Sequence, residues 1–157
     1  MDFNVLSQEP FDRSRSWQLM EMPKITDARG NLTAIEGGVH LPFRIERVYY
    51  VYDVPSGADR AAHAHKGLHQ FFLAVSGSFT LHLDDGSHTA SLTLNRPNIG
   101  LYLRPRVWRL IDNFSGGAVC LVLASDHYQE SDYIRSYDEF RQHVRNCSQP
   151  VAVTDTD

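Results

Sequence analysis

The chain has little cysteine, and its two cysteines lie far apart. Cys120 is inside the apolar run AVCLVLA, and Cys147 is near the end of the chain. They do not have the spacing of a zinc site or a redox pair, so we expect reduced thiols without a functional role. A disulfide is not needed for stability, because a domain of 157 residues buries roughly two thirds of the surface that its unfolded chain exposes.

Long apolar runs are also missing. No stretch approaches the roughly 18 consecutive apolar residues of a membrane span. The beginning of the chain, MDFNVLSQEPFDRSRSW, lacks the basic start and apolar run of a signal peptide. We therefore expect a cytoplasmic protein that has no membrane partner.

Positive charge is limited in amount and almost entirely carried by arginine. The chain has 15 cationic and 19 acidic residues, a formal net charge of -4, and only two lysines. This balance argues against a nucleic-acid partner, because a surface that neutralises a phosphate backbone is basic. A compact anionic ligand remains possible, since the planar guanidinium of arginine grips phosphate through paired hydrogen bonds.

Short alternating segments separated by turn residues predict an all-β sandwich or barrel. Turn signals such as ARGN, PSGAD, DDGS and NRPN stand between the segments. One helix is predicted over Ser136–Arg145, from the helical spacing of Tyr137, Phe140 and Val144. We expect one domain over residues 16–145, with flexible tails over 1–15 and 146–157. The predicted strands are Trp17–Met22, Leu32–Ile35, Ile45–Asp53, Gln70–Val75, Phe79–Leu83, Thr89–Leu94, Ile99–Leu103, Trp108–Asp112 and Ala118–Ala124.

The stretch DRAAHAHKGLHQFFLAV carries the main chemical signal. In an extended segment His63 and His65 share one face, and the apolar strand that follows favours the inner face of a barrel. Two inward histidines are the arrangement with which cupin barrels bind metal. A metal site generally needs at least three protein ligands, however, and Gln70 and Arg109 stand where the cupin motifs supply the others. His69 is only a poor third candidate.

Three interpretations of the histidine pair therefore remain open. The pair transfers a proton, since the ordinary pKa of histidine lies close to neutral pH; or it is a metal site; or both rings are satisfied by hydrogen bonds alone. Two other stretches supply candidate site residues. The strand RIERVYYVYD alternates Val48, Tyr50 and Tyr52 on one face with Arg47, Tyr49 and Val51 on the other, and Arg29 stands beside a turn at Gly30.

Several motifs together resemble one enzyme family. DARGNLTAIE, PFRIERVYYVYDVPSGADRAAHAHK, LDDG, IGLYLRPRVW and VLASDHYQESDYIRSYDEF are similar in order and spacing to the dTDP-4-keto-6-deoxyglucose 3,4-ketoisomerases of deoxysugar biosynthesis. The resemblance covers about residues 20–142. It implies a cupin jelly-roll barrel with a short C-terminal helix, a homodimer, no metal and no cofactor. The implied substrate is a dTDP-linked 4-keto-6-deoxy sugar, whose keto group moves from C4 to C3.

The resemblance also implies roles for individual residues. His63 matches the catalytic base, and His65 is the second histidine, which assists it or relays the proton. Tyr49 and Arg29 match residues at the sugar, where a phenol or a guanidinium stabilises an enediolate, and Arg60 is the first candidate for the pyrophosphate. The further residues that we expect to bind substrate are Gln70, Tyr102 and Arg109.

Some questions stay open at the level of sequence. Family members differ at the positions of Arg29 and Arg109, and this chain has arginine at both, so the galacto or gluco configuration of the product is not predicted. Alternative functions are a 3,5-epimerase-like cupin, a cupin that binds nucleotide sugars without catalysis, and a metal-dependent cupin. The strand Trp17–Met22 has few obvious local partners, so exchange of this strand between two subunits is a further possibility.

Overall fold

The computed structural model describes residues 12–148, which form twelve β-strands, one α-helix and one turn of 3₁₀ helix at Glu130–Asp132. The α-helix, α1, spans Tyr137–Ser148. The strands are β1 (Trp17–Glu21), β2 (Ile25–Asp27), β3 (Gly30–Leu32), β4 (Arg47–Val51), β5 (Arg60–His65), β6 (Gln70–Ser76), β7 (Phe79–Asp84), β8 (Thr89–Leu94), β9 (Ile99–Leu103), β10 (Trp108–Asp112), β11 (Val119–Ala124) and β12 (Tyr133–Ile134).

Ten of these strands form two five-stranded antiparallel sheets. The first sheet has the order β1-β9-β6-β11-β4, and the second has the order β12-β5-β10-β7-β8. Strands β2 and β3 form a separate hairpin. The predicted all-β fold with a short C-terminal helix is confirmed. The two sheets share no strand, so the described residues form a two-layer jelly roll that is not closed into a continuous barrel.

The main core lies between the sheets and follows from the alternation of side chains along each strand. Phe79, Leu81 and Leu83 of β7 alternate with polar or less buried residues and pack inward. Strand β11 contributes Cys120 and Val122 to the same core. Each strand therefore buries one face between the layers, as the period of two requires.

Two smaller clusters cover the outer faces of the sheets. On the first sheet, Phe71 and Leu73 of β6 pack with Met22 and Leu41 from the segment between β1 and β4. On the second sheet, α1 buries Phe140 against Trp108 and other apolar side chains. No helix among residues 12–148 is long and apolar enough to span a membrane.

The structure contains strands that were not predicted, including the two-residue strand β12. Strand β5 and the hairpin of β2 and β3 were not predicted as strands, and of the predicted strand Leu32–Ile35 only Leu32 is in a strand. Strand β1 has a partner in its own chain, because it pairs with β9 along its whole length. It occupies the edge of its sheet.

The predicted domain limits stay a prediction, and ordered contacts extend beyond them at both ends. Residues 12–15 are held by hydrogen bonds, including one from the Asp12 amide to the Gln18 side chain and one from the Arg104 guanidinium to the Arg13 carbonyl. Helix α1 continues through Ser148, three residues beyond the predicted limit at Arg145. The other residues of the predicted tails, 1–11 and 149–157, lie outside the described residues.

Candidate active site

A cavity of about 560 Å³ opens between the two sheets beside the histidine pair. Its apolar wall includes Phe72 and Ile111, which come from facing sheets. Its polar wall includes Tyr49, His63 and Arg109. The cavity therefore combines an apolar wall with several polar groups, which is the usual composition of a small-molecule site.

The two histidines of β5 are in direct contact. His63 Nε2 lies 3.0 Å from His65 Nε2, and the rings meet edge to face. A β-bulge precedes them: Arg109 of β10 pairs with His63, whereas Ile111 pairs with Arg60, which leaves one extra residue in β5. Ala61 in this bulge has φ 64. Bulges of this kind redirect side chains near functional sites.

A carboxylate that the sequence did not single out completes this group. Asp132 Oδ2 lies 2.9 Å from His65 Nδ1, and Asp132 Oδ1 accepts a hydrogen bond of 2.8 Å from the Gly67 amide. Strand β12 brings this segment to β5 by pairing Tyr133 with His65. The cluster of acidic residues in DHYQESD was the only signal in the sequence, and its spacing does not indicate a contact with residues 67 positions away.

Burial keeps both imidazoles neutral. Desolvation is the main cause that lowers the pKa of both His63 and His65 to about 2, and the positive charge of Arg109 is the second cause. Only one hydrogen can lie between the two facing Nε2 atoms. Two neutral rings satisfy this contact, because one ring donates its N–H and the other accepts with its lone pair. The pair is therefore a neutral acceptor for a proton, as a general base must be before it acts.

A second chain of hydrogen bonds links the two sheets. The buried Arg109 donates from Nη1 to Gln70 Oε1 at 2.5 Å, and Gln70 Nε2 donates to the Tyr49 hydroxyl at 2.8 Å. Arginine has no acceptor, so it fixes which end of the Gln70 amide faces Tyr49. Burial raises the pKa of Tyr49 to about 12. The phenol stays protonated, and because it accepts from Gln70, its own hydrogen can be donated into the cavity.

Guanidinium groups surround this cavity. Arg47 lies over the rings of Tyr49 and Tyr128, and Arg135 lies 4.3 Å from the ring centre of Tyr133. Arg60, which is exposed, stands at the start of β5. Two buried guanidinium nitrogens, Arg47 Nε and Arg109 Nη2, have no hydrogen-bond partner in the described protein. Buried donors of this kind are costly without an acceptor, and they favour a ligand that carries oxygen atoms or negative charge.

The structure does not bring every predicted residue to the cavity. His63, His65, Tyr49, Gln70, Arg109 and Arg60 lie at it or contact its lining. Tyr102 does not, because Leu101 and Leu103 of β9 face the main core and so turn Tyr102 to the outer cluster, where its hydroxyl lies 2.6 Å from His69 Nδ1.

Arg29 is the other predicted site residue that lies elsewhere. It is exposed at the turn between β2 and β3, and its guanidinium pairs with Asp27 at 2.6 Å. The Asp27 carboxylate also accepts from the Arg29 amide, so one side chain fixes both the turn and the arginine. In this chain, Arg29 is not part of the cavity lining.

The donor set of the cavity does not resemble a metal centre. Among residues 12–148, no group of three or more histidine, cysteine, aspartate or glutamate side chains is arranged to hold a metal ion. Beside the histidine pair stands Arg109, which cannot coordinate a cation and repels it. The absence of a metal stays a prediction that metal analysis of the protein can test.

Comparison with known families identifies the group to which this fold and site belong. The model of the family described as FdtA, WxcM-like, C-terminal, matches residues 15–145. The chain belongs to this family. A curated relative in the same range is the TDP-4-oxo-6-deoxy-alpha-D-glucose-3,4-oxoisomerase of Aneurinibacillus thermoaerophilus, which is 44% identical over 127 residues, or 81% of this chain and 91% of the relative.

Solved structures agree with the family assignment. QdtA, a sugar 3,4-ketoisomerase from Thermoanaerobacterium thermosaccharolyticum in complex with TDP, is 40% identical, with a TM-score of 0.83 over 85% of this chain and 98% of QdtA. A 3,4-ketoisomerase from Helicobacter canadensis is 46% identical, with a TM-score of 0.80 over 82% of this chain and 97% of that one. These neighbours confirm the cupin jelly-roll fold expected from the sequence.

Proposed function

We propose that the protein is an isomerase that converts dTDP-4-keto-6-deoxyglucose to a dTDP-3-keto-6-deoxyhexose in deoxysugar biosynthesis. The observation that carries this proposal is the neutral pair of His63 and His65 at a cavity with several guanidinium groups. The family of 3,4-ketoisomerases to which the chain belongs supports the same reaction.

The proposed reaction starts at C3, because the hydrogen on C3 lies α to the C4 ketone. His63 takes this proton, and the electron pair of the C3–H bond forms a C3–C4 double bond while O4 becomes negatively charged. A proton then returns to C4, the C3 hydroxyl loses its proton as the C3 carbonyl forms, and O4 takes up a proton to become the C4 hydroxyl, so the oxidation at C3 balances the reduction at C4. No atom is gained or lost, so the reaction needs no cofactor.

Tyr49 and Arg109 are proposed to stabilise the enediolate. The Tyr49 phenol has a hydrogen to donate, and Arg109 has a buried Nη2 without an acceptor. A preorganised donor aimed at a developing oxyanion contributes about 3 kcal/mol to the transition state. Gln70 holds both groups in place, so we assign it a supporting role rather than a contact with the reacting atoms.

Arg60 is proposed to bind the pyrophosphate of the substrate. It stands at the start of β5, on the same cavity as His63 but more exposed. The neighbouring guanidinium groups of Arg47 and Arg135 add positive charge to this part of the cavity. A few bidentate cations suffice for a small anion, which is compatible with the negative net charge of the chain.

We further propose a cytoplasmic homodimer that works without metal. Val48, Tyr50 and Tyr52 form an exposed apolar strip along and just beyond β4, which is an edge strand of its sheet. Exposed apolar edges invite pairing with another chain, and a second copy of this chain would cover the strip. Light scattering of the wild type and of a Tyr50→Glu variant tests this: a dimer that becomes monomeric supports the proposal, and a monomeric wild type contradicts it.

Incubation with dTDP-4-keto-6-deoxyglucose in deuterated water tests the reaction. The expected product has its ketone at C3 and solvent deuterium at C4, and NMR of this product also reveals its C4 configuration. Exchange at C3 and C5 without migration of the ketone would instead show a 3,5-epimerase. Tight dTDP binding without any exchange would show a binding protein, and activity that disappears in chelator would show a metal-dependent enzyme.

A pair of variants assigns the base. His63→Asn is expected to abolish turnover while dTDP still binds. The matched control is His82→Asn, because His82 is bonded to Ser91 and Asp112 away from this cavity. A normal rate in the His63 variant would place the base elsewhere.

A further inference from the structure

We infer that Asp132 is a positioning residue that sets the tautomers of both histidines, so that Nδ1 is the nitrogen of His63 that carries no hydrogen. This inference rests on the proposed function, in which His63 is the base. It adds a carboxylate from the segment after β11 to the histidine pair of β5.

The direction of the hydrogen bonds in the series Asp132–His65–His63 follows from Asp132. An ionised carboxylate only accepts hydrogen bonds, so the contact of 2.9 Å with Asp132 requires a hydrogen on His65 Nδ1. A neutral His65 then has a lone pair at Nε2. The contact of 3.0 Å between the two Nε2 atoms must therefore carry the hydrogen of His63. Nδ1 is left as the unprotonated nitrogen of His63.

Asp132 also compensates the charge that forms during the reaction. When His63 takes a proton, it becomes a cation close to Arg109 and Arg135, which disfavour it. A shift of the shared hydrogen from His63 Nε2 to His65 Nε2 places the positive charge on His65, where arginines disfavour it as well but the Asp132 carboxylate lies 2.9 Å away. Glu130 is less suited to this role, because Arg135 already holds both of its oxygens, at 2.7 and 2.9 Å.

The orientation of Asp132 does not depend on His65 alone. Its Oδ1 accepts from the Gly67 amide, and its backbone carbonyl accepts from the Lys66 amide at 2.9 Å. Its side chain is 23% exposed and lines a small polar cavity of about 160 Å³ behind His65. That volume is enough for water, and the two carboxylate oxygens are directed at His65 and Gly67.

Asp132→Asn is expected to invert the tautomers with little change in shape. The amide oxygen of the new side chain stays on the Gly67 N–H, so its NH₂ group turns to His65 Nδ1 and donates to it. His65 must then carry its hydrogen on Nε2 and donate to His63 Nε2, which leaves the hydrogen of His63 on Nδ1. We expect kcat to fall by about 10²- to 10⁴-fold, which is the usual contribution of a positioned general base.

The test combines kinetics with a direct measurement of the tautomers. In Asp132→Asn, kcat should fall while KM and the dissociation constant for dTDP change little. The matched control is Asp126→Asn, which removes the same charge from the lining of the same small cavity but is expected to leave kcat unchanged. A kcat of Asp132→Asn within twofold of wild type, or an equal loss in both variants, would overturn the inference.

Nitrogen NMR of protein labelled at histidine separates this inference from the proposed function. In the wild type, His63 should show an unprotonated Nδ1 and a protonated Nε2, and His65 the reverse. Both assignments should invert in Asp132→Asn. The wild-type spectrum is decisive even when the variant does not fold: the opposite tautomers there would refute the inference, whatever reaction the protein catalyses. A wild type with the expected tautomers but without isomerase activity would refute only the proposed function.

Discussion

Replacing Gln70 with leucine tests whether the hydrogen-bond chain between the sheets stabilises the fold as well as the site. Leucine preserves most of the volume of glutamine but has no polar atom. Arg109, which is 1% exposed, would lose the acceptor of its Nη1, and Tyr49 would lose its donor. The substitution therefore leaves a charged buried group with only its bond to the Val107 carbonyl.

The expected cost follows from these two bonds. A hydrogen bond to a charged group contributes about 1.5 to 3 kcal/mol, and a neutral one contributes about 1 kcal/mol. Gln70→Leu should therefore lower the free energy of unfolding by about 2.5 to 4 kcal/mol. In a domain of this size, that loss lowers Tm by about 10 °C.

Urea unfolding at one fixed protein concentration measures this cost, and a double-mutant cycle assigns it. In an Arg109→Met background the charge is already absent, so Gln70→Leu should cost only about 1 kcal/mol. Thr80→Val is the control, because it removes one neutral buried hydrogen bond. Thr80 bonds to Thr93 at 2.9 Å in the second sheet, which also contains Arg109. An equal cost of Gln70→Leu in both backgrounds would refute the charged hydrogen bond as its cause.

Four further predictions concern the base, the phenol and the packing. Tyr49→Phe should lower kcat by about 10²-fold with unchanged dTDP affinity, because it removes one oxyanion donor; an unchanged kcat would contradict this role. Since burial lowers the pKa of His63, kcat/KM should stay level from pH 8 down to about pH 5, and a midpoint near 6.5 in the pH profile would show an ordinary imidazole instead. Because the pKa of His65 is lowered in the folded protein, the unfolded state binds more protons below about pH 6.5. The free energy of unfolding should therefore decrease as the pH is lowered below about 6.5, by at most about 1.4 kcal/mol per pH unit. Urea titrations of wild type and His65→Asn measure this dependence, and equal pH slopes in the two proteins would contradict it. Gly100→Ala should destabilise by about 1 to 3 kcal/mol or more, because its Cβ would lie 2.3 Å from the Phe71 ring; thermal unfolding at an unchanged Tm would contradict it.

The sequence predicts the fold where alternation and turn signals agree. Thr89–Leu94, Ile99–Leu103 and Trp108–Asp112 are strands with the predicted limits. Strand β5 was described only as an extended segment, because RAAHAH is rich in alanine, which has little β-propensity. Two-residue β12 has no pattern of its own and exists because it pairs with β5.

In the site too, features that depend on neighbouring residues could be predicted, and contacts between distant parts of the chain could not. A period of two placed His63 and His65 on one face, and the structure brings the two rings together. The position of Tyr102 could not be predicted, because IGLYL is apolar at nearly every position and the sequence does not reveal which face of the strand is inward. Asp132 escaped prediction because its contact with His65 depends on the return of the chain after β11 to the edge of the second sheet.

The short pairing of β12 with β5 has a consequence for how the protein loses activity. Asp132 and Tyr133 reach the histidines through a strand of only two residues at a sheet edge, and such peripheral segments open with a smaller free energy than the core. His63 and His65 would then lack the contact with the Asp132 carboxylate while the rest of both sheets is still folded. Heat or mild denaturant should therefore inactivate the protein before it unfolds, and Tm alone would overstate the range in which it works.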